Sequence, residues 1–122
     1  MTAETRKAFT PSDLSNYGFK NHALIRTAEK AGSPVRIVET VHEVNERRKK
    51  SMAKRVIAAC GGSVAGKTIA VLGLTFKPNT DDMREAPSLD LIPALQAAGA
   101  AIRAYDPEGM DEAKKLLTGC AW

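Results

Sequence analysis

The stretch Ile69-Ala70-Val71-Leu72-Gly73-Leu74-Thr75-Phe76-Lys77-Pro78-Asn79-Thr80-Asp81-Asp82-Met83-Arg84-Glu85-Ala86-Pro87 decides the fold class of this chain. Its first four residues are apolar without alternation, which suits a central parallel strand covered on both faces. Gly73 closes the run, and a charged loop bounded by Pro87 follows. Ser88 to Ala98 then reads as a helix ended by Gly99. Pro93 is tolerated there if the first turn begins near Asp90; otherwise it costs one hydrogen bond and kinks the helix. Ala101 to Tyr105 is a second short strand. Asp106-Pro107-Glu108 opens another helix, with Asp106 as N-cap and Pro107 at the first helical position. Met110, Ala113, Leu116 and Leu117 give that helix an apolar face. The order strand, helix, strand, helix is the opening of a doubly wound α/β domain. Two parallel strands leave open edges and an uncovered apolar face, so this unit needs more strands or another chain.

Upstream the pattern changes to helix. Residues 1–18 carry Thr, Ser, Pro and charge without periodicity and read as a tail or loop. Asn21 to Ala31 has helical spacing through Leu24, Ile25 and Ala28, and Gly32-Ser33-Pro34 stops it. A second helix starts near Ile37 to Thr40 and runs to about Cys60, where Gly61-Gly62 ends it. Val41, Val44, Met52, Val56 and Ala59 form its apolar stripe, broken by Asn45 and Arg48. At roughly 30 Å it is longer than a small domain needs for itself, so it is expected to link domains or pack against a partner.

The 122 residues are enough for one domain with a modest core, and 43% hydrophobic content with 26% charged residues is ordinary for a globular protein. No apolar run approaches the ~20 residues of a membrane span, and the N-terminus has no signal-peptide core. Two distant cysteines, Cys60 and Cys120, match no metal-ligand spacing and fit a reduced, cytoplasmic protein. Charge is uneven: 12 Lys/Arg stand against 6 Asp/Glu up to Gly61, and 6 against 8 from Gly62 onward. The basic excess gathers in Arg47, Arg48, Lys49, Lys50, Lys54 and Arg55. Such a cluster can neutralise phosphates, but no aromatic residues interleave with it. A solvated helix face is the commoner explanation, and nucleic acid ranks last among partners.

Gly61-Gly62-Ser63-Val64-Ala65-Gly66-Lys67-Thr68 fits the phosphate-loop pattern at every fixed position. That mechanism needs a strand before the loop and a helix after it. Here the order is reversed, so a Gly-rich connector with an exposed Lys67 is the better reading. No G-x-G-x-x-G follows Ile69; Gly73-Leu74-Thr75-Phe76 fails that pattern. The loop after the strand is richer. It starts at the carboxyl end of a parallel strand, where open α/β sheets bind ligands. Lys77 offers a point charge and Arg84 a planar donor fork, with Asp81, Asp82 and Glu85 placed to hold them. A solvated charged loop is the equal alternative on these grounds. His22 and His42 read as isolated surface residues. Cys60 at a helix C-terminus is a poor nucleophile, because the dipole disfavours a thiolate there. Asp106 is explained by capping, with a ribose contact as the alternative.

The run from Ile69 to Leu89 resembles the UDP-binding domain of bacterial UDP-glucose 6-dehydrogenases, in the UDP-glucose/GDP-mannose dehydrogenase family. Ala23-Leu24-Ile25-Arg26-Thr27-Ala28-Glu29 and Arg36 to Glu46 resemble that family's central domain, and Tyr105-Asp106-Pro107 fits as well. The likeness covers roughly Ala23 to Leu117. It implies a helical part of a central, dimerising domain over 19–62 and part of a Rossmann-like UDP-sugar domain over 63–122. Members oxidise UDP-glucose to UDP-glucuronate with NAD, through a cysteine thioester. The resemblance assigns Phe76 and Lys77 to the UDP-sugar and Arg84 to the NAD side. The sugar leans to glucose. The long helix is expected to make a homo-oligomer.

The same resemblance implies that the NAD-binding domain and the last strands of the UDP domain lie outside these residues. The family's Gly-Ser-Cys-Phe-Pro-Lys-Asp stretch is replaced by Leu14-Ser15-Asn16-Tyr17-Gly18-Phe19-Lys20-Asn21-His22. No catalytic residue and no metal ligand are assigned. The expectation is a truncated member, inactive by itself, with a non-catalytic sugar-nucleotide-binding or dimerisation module as the alternative.

Overall fold

A computed structural model describes residues 17–122. The expected tail up to Asn16 lies outside the described residues. Two compact units are distinguished, one ending at His42 and one running from Glu43 to Trp122.

In the first unit, helix α1 spans Tyr17–Lys30, four residues earlier than its apolar spacing indicates. It ends as expected at Gly32: Gly32 N–H donates to Glu29 O and Ser33 N–H to Ala28 O, which satisfies carbonyls the helix leaves over. Helix α2, Arg36–Ala59, opens in this unit and continues into the second.

The second unit holds the sheet. Strand β1 is Thr68–Leu72, helix α3 Ser88–Ala97, strand β2 Ala101–Tyr105, helix α4 Met110–Leu116 and strand β3 Cys120–Ala121. The sheet order is β1-β2-β3, all parallel. The α/β class with parallel strands is as expected, but two details differ. A third strand, two residues long, follows α4. And β1, read as a central strand, is an edge strand among the described residues.

Register explains why only one sheet face is buried. Ile69 pairs with Ile102 and Val71 with Ala104, and these point to the core with Cys120. Leu72 pairs with Tyr105 on the opposite face, where they are 79% and 56% exposed. The core is filled by Val64, Leu74, Met83, Ala86, Ile92, Leu95, Ala113 and Leu117. From α2 it receives Ala53, with Val56 and Ile57 packed beside it.

Helix ends follow the glycines. Gly61, at φ +85, lets Gly62 N–H reach Ile57 O and Gly61 N–H reach Ala58 O, closing α2 in a left-handed cap. Pro93 sits beyond the first turn of α3, because that helix begins at Ser88 and not near Asp90. Its ring supplies no N–H for Leu89 O.

At the end of β1 the chain must leave the sheet. Gly73 N–H makes a last bond to Tyr105 O. The next amides are met by one side chain: Asp106 Oδ2 accepts from Leu74 N–H at 2.7 Å and from Thr75 N–H at 3.2 Å. Its Oδ1 accepts from Glu108 N–H at 2.9 Å and Gly109 N–H at 2.8 Å. Leu74 O in turn accepts from the buried Ser88 hydroxyl, which ties α3 to the same point. Asp106 thus holds the turn before α4 and is not the helix N-cap expected: the helix begins at Met110, with Gly109 at its N-cap and Pro107 outside it. Its two oxygens are saturated, so the ribose alternative drops out.

Asp106 is only 4% exposed. Burial opposes its charge, but the amides of Leu74, Gly109, Glu108 and Thr75 outweigh that and lower its pKa to about 2. A folded pKa below the unfolded value of 3.8 contributes stability that is complete above that value and lost as pH falls through about 2. The contribution is on the order of 2 kcal/mol. Urea denaturation between pH 5 and pH 2 (roughly the titration window) should show this loss. Asp106→Asn should be less stable at neutral pH by on the order of 2 kcal/mol and lose that part of the acid slope.

Candidate functional site

The loop Thr75–Pro87 starts at the carboxyl end of β1, as expected for a ligand loop of a parallel sheet. It is organised by its own polar groups. Phe76 N–H donates to Asp82 O at 2.8 Å, closing the loop on itself. The Thr75 hydroxyl donates to Lys77 O, and Thr80 Oγ1 accepts from Asp82 N–H. Asn79 and Glu85 adopt left-handed backbone, at φ +58 and +56.

Arg84 is held by a fork: Nε donates to Asp82 Oδ1 at 3.0 Å and Nη2 to Oδ2 at 2.8 Å. Arg84 N–H also reaches Asp82 Oδ1. The guanidinium keeps the Asp82 carboxyl below the usual carboxylate range. The Arg84 side chain is still 68% exposed. Asp82 therefore does what the sequence expects of it. Glu85 accepts from Lys49 Nζ of α2 at 3.0 Å. Of the basic cluster, Arg47, Arg48, Lys50, Lys54 and Arg55 are exposed as a solvated face, and Lys49 turns inward.

A groove of about 490 Å³ lies between this loop and α4. Thr80, Asp81, Asp82, Met83, Arg84 and Leu89 line it, with Glu112 and Leu116 on the far wall. Of the three residues singled out from sequence, Arg84 lines the groove. Phe76 and Lys77 are half-buried at the loop's start, outside that lining. Glu112 and Leu116 were not read as site residues, since only folding brings α4 beside the loop; Met83 and Leu89 come from the loop and from α3.

Other candidates resolve structurally. Lys67 Nζ donates to Cys60 O at 2.5 Å, so the lysine of the phosphate-loop pattern serves as a C-terminal cap of α2. Cys60 therefore sits at a capped helix end, and burial raises the Cys120 thiol. Burial disfavours a Cys120 thiolate. His22 and His42 are not isolated: their rings meet edge to face, with centroids 4.0 Å apart in the first unit. The pair joins residues of α1 and α2, a proximity that sequence spacing does not carry. Among the described residues no group of three or more His, Cys, Asp and Glu is placed to hold a metal, and no helix is long and apolar enough to cross a membrane.

Residues 70–121 match the family model described as the UDP-glucose/GDP-mannose dehydrogenase family, UDP binding domain. The chain is 57% identical over 97 residues to a UDP-glucose 6-dehydrogenase of Rhizobium meliloti (strain 1021), covering 80% of this chain and 22% of that protein. It is 47% identical over 95 residues to UDP-glucose 6-dehydrogenase TuaD of Bacillus subtilis (strain 168), covering 78% and 20%. A UDP-glucose dehydrogenase structure from the hyperthermophilic archaeon Pyrobaculum islandicum matches with TM-score 0.74 at 32% identity, covering 85% of this chain and 24% of that one. The chain spans about a fifth of the length of the curated relatives it matches.

The capping role of Lys67 is testable. Lys67→Met should lower stability by less than about 1 kcal/mol. Equilibrium dialysis with magnesium ATP should show no retention that depends on Lys67; retention abolished by the substitution would restore the phosphate-loop reading.

Proposed function

Residues 70–121 of this chain belong to the UDP binding domain of the UDP-glucose/GDP-mannose dehydrogenase family, and from that premise we propose that its Thr75–Pro87 loop forms the substrate side of a UDP-glucose 6-dehydrogenase site. The observation that carries the reading is a charged loop that leaves the carboxyl end of a parallel strand and holds Arg84 on an Asp82 fork. Phe76 packs against the sugar nucleotide, and Lys77 supplies a point charge for its phosphate or sugar oxygens. Arg84 faces the dinucleotide side.

NAD is the family's cofactor, and the residues present do not by themselves fit it. The first turn after β1 has no glycine-rich fingerprint. The Leu74 and Thr75 amides that such a turn would aim at a pyrophosphate are taken by Asp106. This chain's contribution is therefore Arg84, and no step is derived through the cofactor. Nor does the chain supply the thiolate that the family's oxidation uses. Its two cysteines are a helix-end residue and a thiol raised by burial. On this reading the 122-residue polypeptide binds UDP-glucose without oxidising it.

Calorimetry with UDP-glucose should give binding that Lys77→Ala weakens by about tenfold, the loss of one charge-assisted contact. Incubation with UDP-glucose and NAD should give no NADH absorbance. Turnover by the pure polypeptide would overturn the non-catalytic part, and absence of UDP-glucose binding would overturn the whole.

A second reading, a module that pairs two copies through α2, is favoured by one observation. Val44 is half exposed on that helix, and Ile37 near its start is 82% exposed. Sedimentation equilibrium should then show a dimer that Val44→Glu dissociates; a monomer at all concentrations would remove this reading.

A further inference from the structure

Lys49 is the one member of the basic cluster whose charge is folded inward. Its side chain is 16% exposed, and its Nζ meets three carboxylates: Glu46 of α2 at 2.5 Å, Glu85 of the loop at 3.0 Å and Asp90 of α3 at 3.9 Å. Burying an ammonium is costly unless it is paired and hydrogen-bonded. Here burial disfavours the charge, but the bonds to Glu46 and Glu85 restore it and leave the pKa raised. Two partners belong to different elements from Lys49, so a single ammonium joins the helix, the loop and the start of α3.

The position of Glu85 gives this pairing a consequence. Glu85 holds φ +56, a left-handed conformation that costs a non-glycine residue on the order of 1 kcal/mol or more. Such a residue persists where its surroundings over-determine it. On its N-terminal side Arg84 is locked to Asp82; on its C-terminal side Ala86 is fully buried and its N–H donates to Met83 O. The Glu85 carboxylate is locked by Lys49. Three consecutive residues are thus anchored to three different partners.

We propose that Lys49 is a positioning residue of the candidate site, holding Glu85 so that the loop presents Arg84 and closes Phe76 onto Asp82. The proposal rests on the sugar-nucleotide reading above for what the loop binds, but its structural half stands apart from it. In the Lys49→Met variant the chain length is kept and the charge removed. The loop is released while α2 stays docked through Ala53, Val56 and Ile57.

Amide hydrogen exchange read residue by residue separates this from a plain stability effect. In Lys49→Met the Phe76 and Ala86 amides should exchange about tenfold faster or more, with the β2 amides of Ile102 and Ala104 unchanged. UDP-glucose affinity should fall about tenfold in parallel. Glu85→Gln should reproduce both effects without adding to them in the double variant, and Lys49→Arg should restore most of each. Unchanged loop exchange, or equal acceleration in the loop and β2, would overturn the proposal. If the unsubstituted protein binds no UDP-glucose, the functional reading fails while the exchange data still decide whether Lys49 holds the loop.

Discussion

The fold turns on how the chain leaves its first strand. Gly73 N–H is the last amide of this segment bonded to the neighbouring strand; one residue on no strand partner is available, yet Leu74 is buried. Asp106 follows Tyr105, which is in register with Leu72. An acceptor at that position is therefore level with the departing backbone. It takes the Leu74 and Thr75 amides on one oxygen and the turn before α4 on the other. The two segments then close together so tightly that a Cβ at Gly109 would lie 2.2 Å from Thr75 Cγ2. Both walls of the groove, the loop and α4, spring from this junction. A carboxylate that looks like a local helix cap is what gives the site its shape.

The sheet itself is one-sided within the described residues. Its inner face packs Ile69, Val71, Ile102 and Ala104 onto α3 and α4, while Leu72 and Tyr105 lie open on the other face. All-parallel sheets are ordinarily covered on both faces. The continuous apolar run of β1 therefore describes an environment that these residues alone do not create. The same mismatch explains why β1 reads as a central strand and stands at an edge. Periodicity reports what a strand is suited to; neighbours decide where it lies.

Elements whose signals are local were legible in the sequence. Gly32, Gly61 and Gly99 stop helices where expected, and β2 occupies the expected Ala101–Tyr105. The loop with Arg84 was legible because strand ends and charged residues are sequence features. Contacts between elements were not. The Lys67 cap depends on the reach of a side chain across a glycine turn, which a pattern built of identities does not encode. The His22–His42 pair needs two helices side by side. The two-residue β3 is too short to show alternation. Leu116 and Glu112 become groove residues only because α4 returns beside the loop.

Asn79 and Glu85 sharpen this distinction inside the site. Both hold left-handed backbone, but they do so for different reasons. Asparagine tolerates that conformation from local chemistry, and Pro78-Asn79 is a turn signal in any sequence. Glutamate has no such preference; its neighbours are anchored within the loop, and its own carboxylate is met from outside it by Lys49. The loop is therefore shaped at one end by its own sequence and at the other by a helix that starts more than thirty residues earlier. A loop held at both ends has little conformational freedom left to lose when a ligand arrives, and that lowers the ordering cost of binding. The charged residues around Arg84 thus act first on the loop, each fixing a neighbour, and this preorganisation sets the geometry in which a charged ligand would be met.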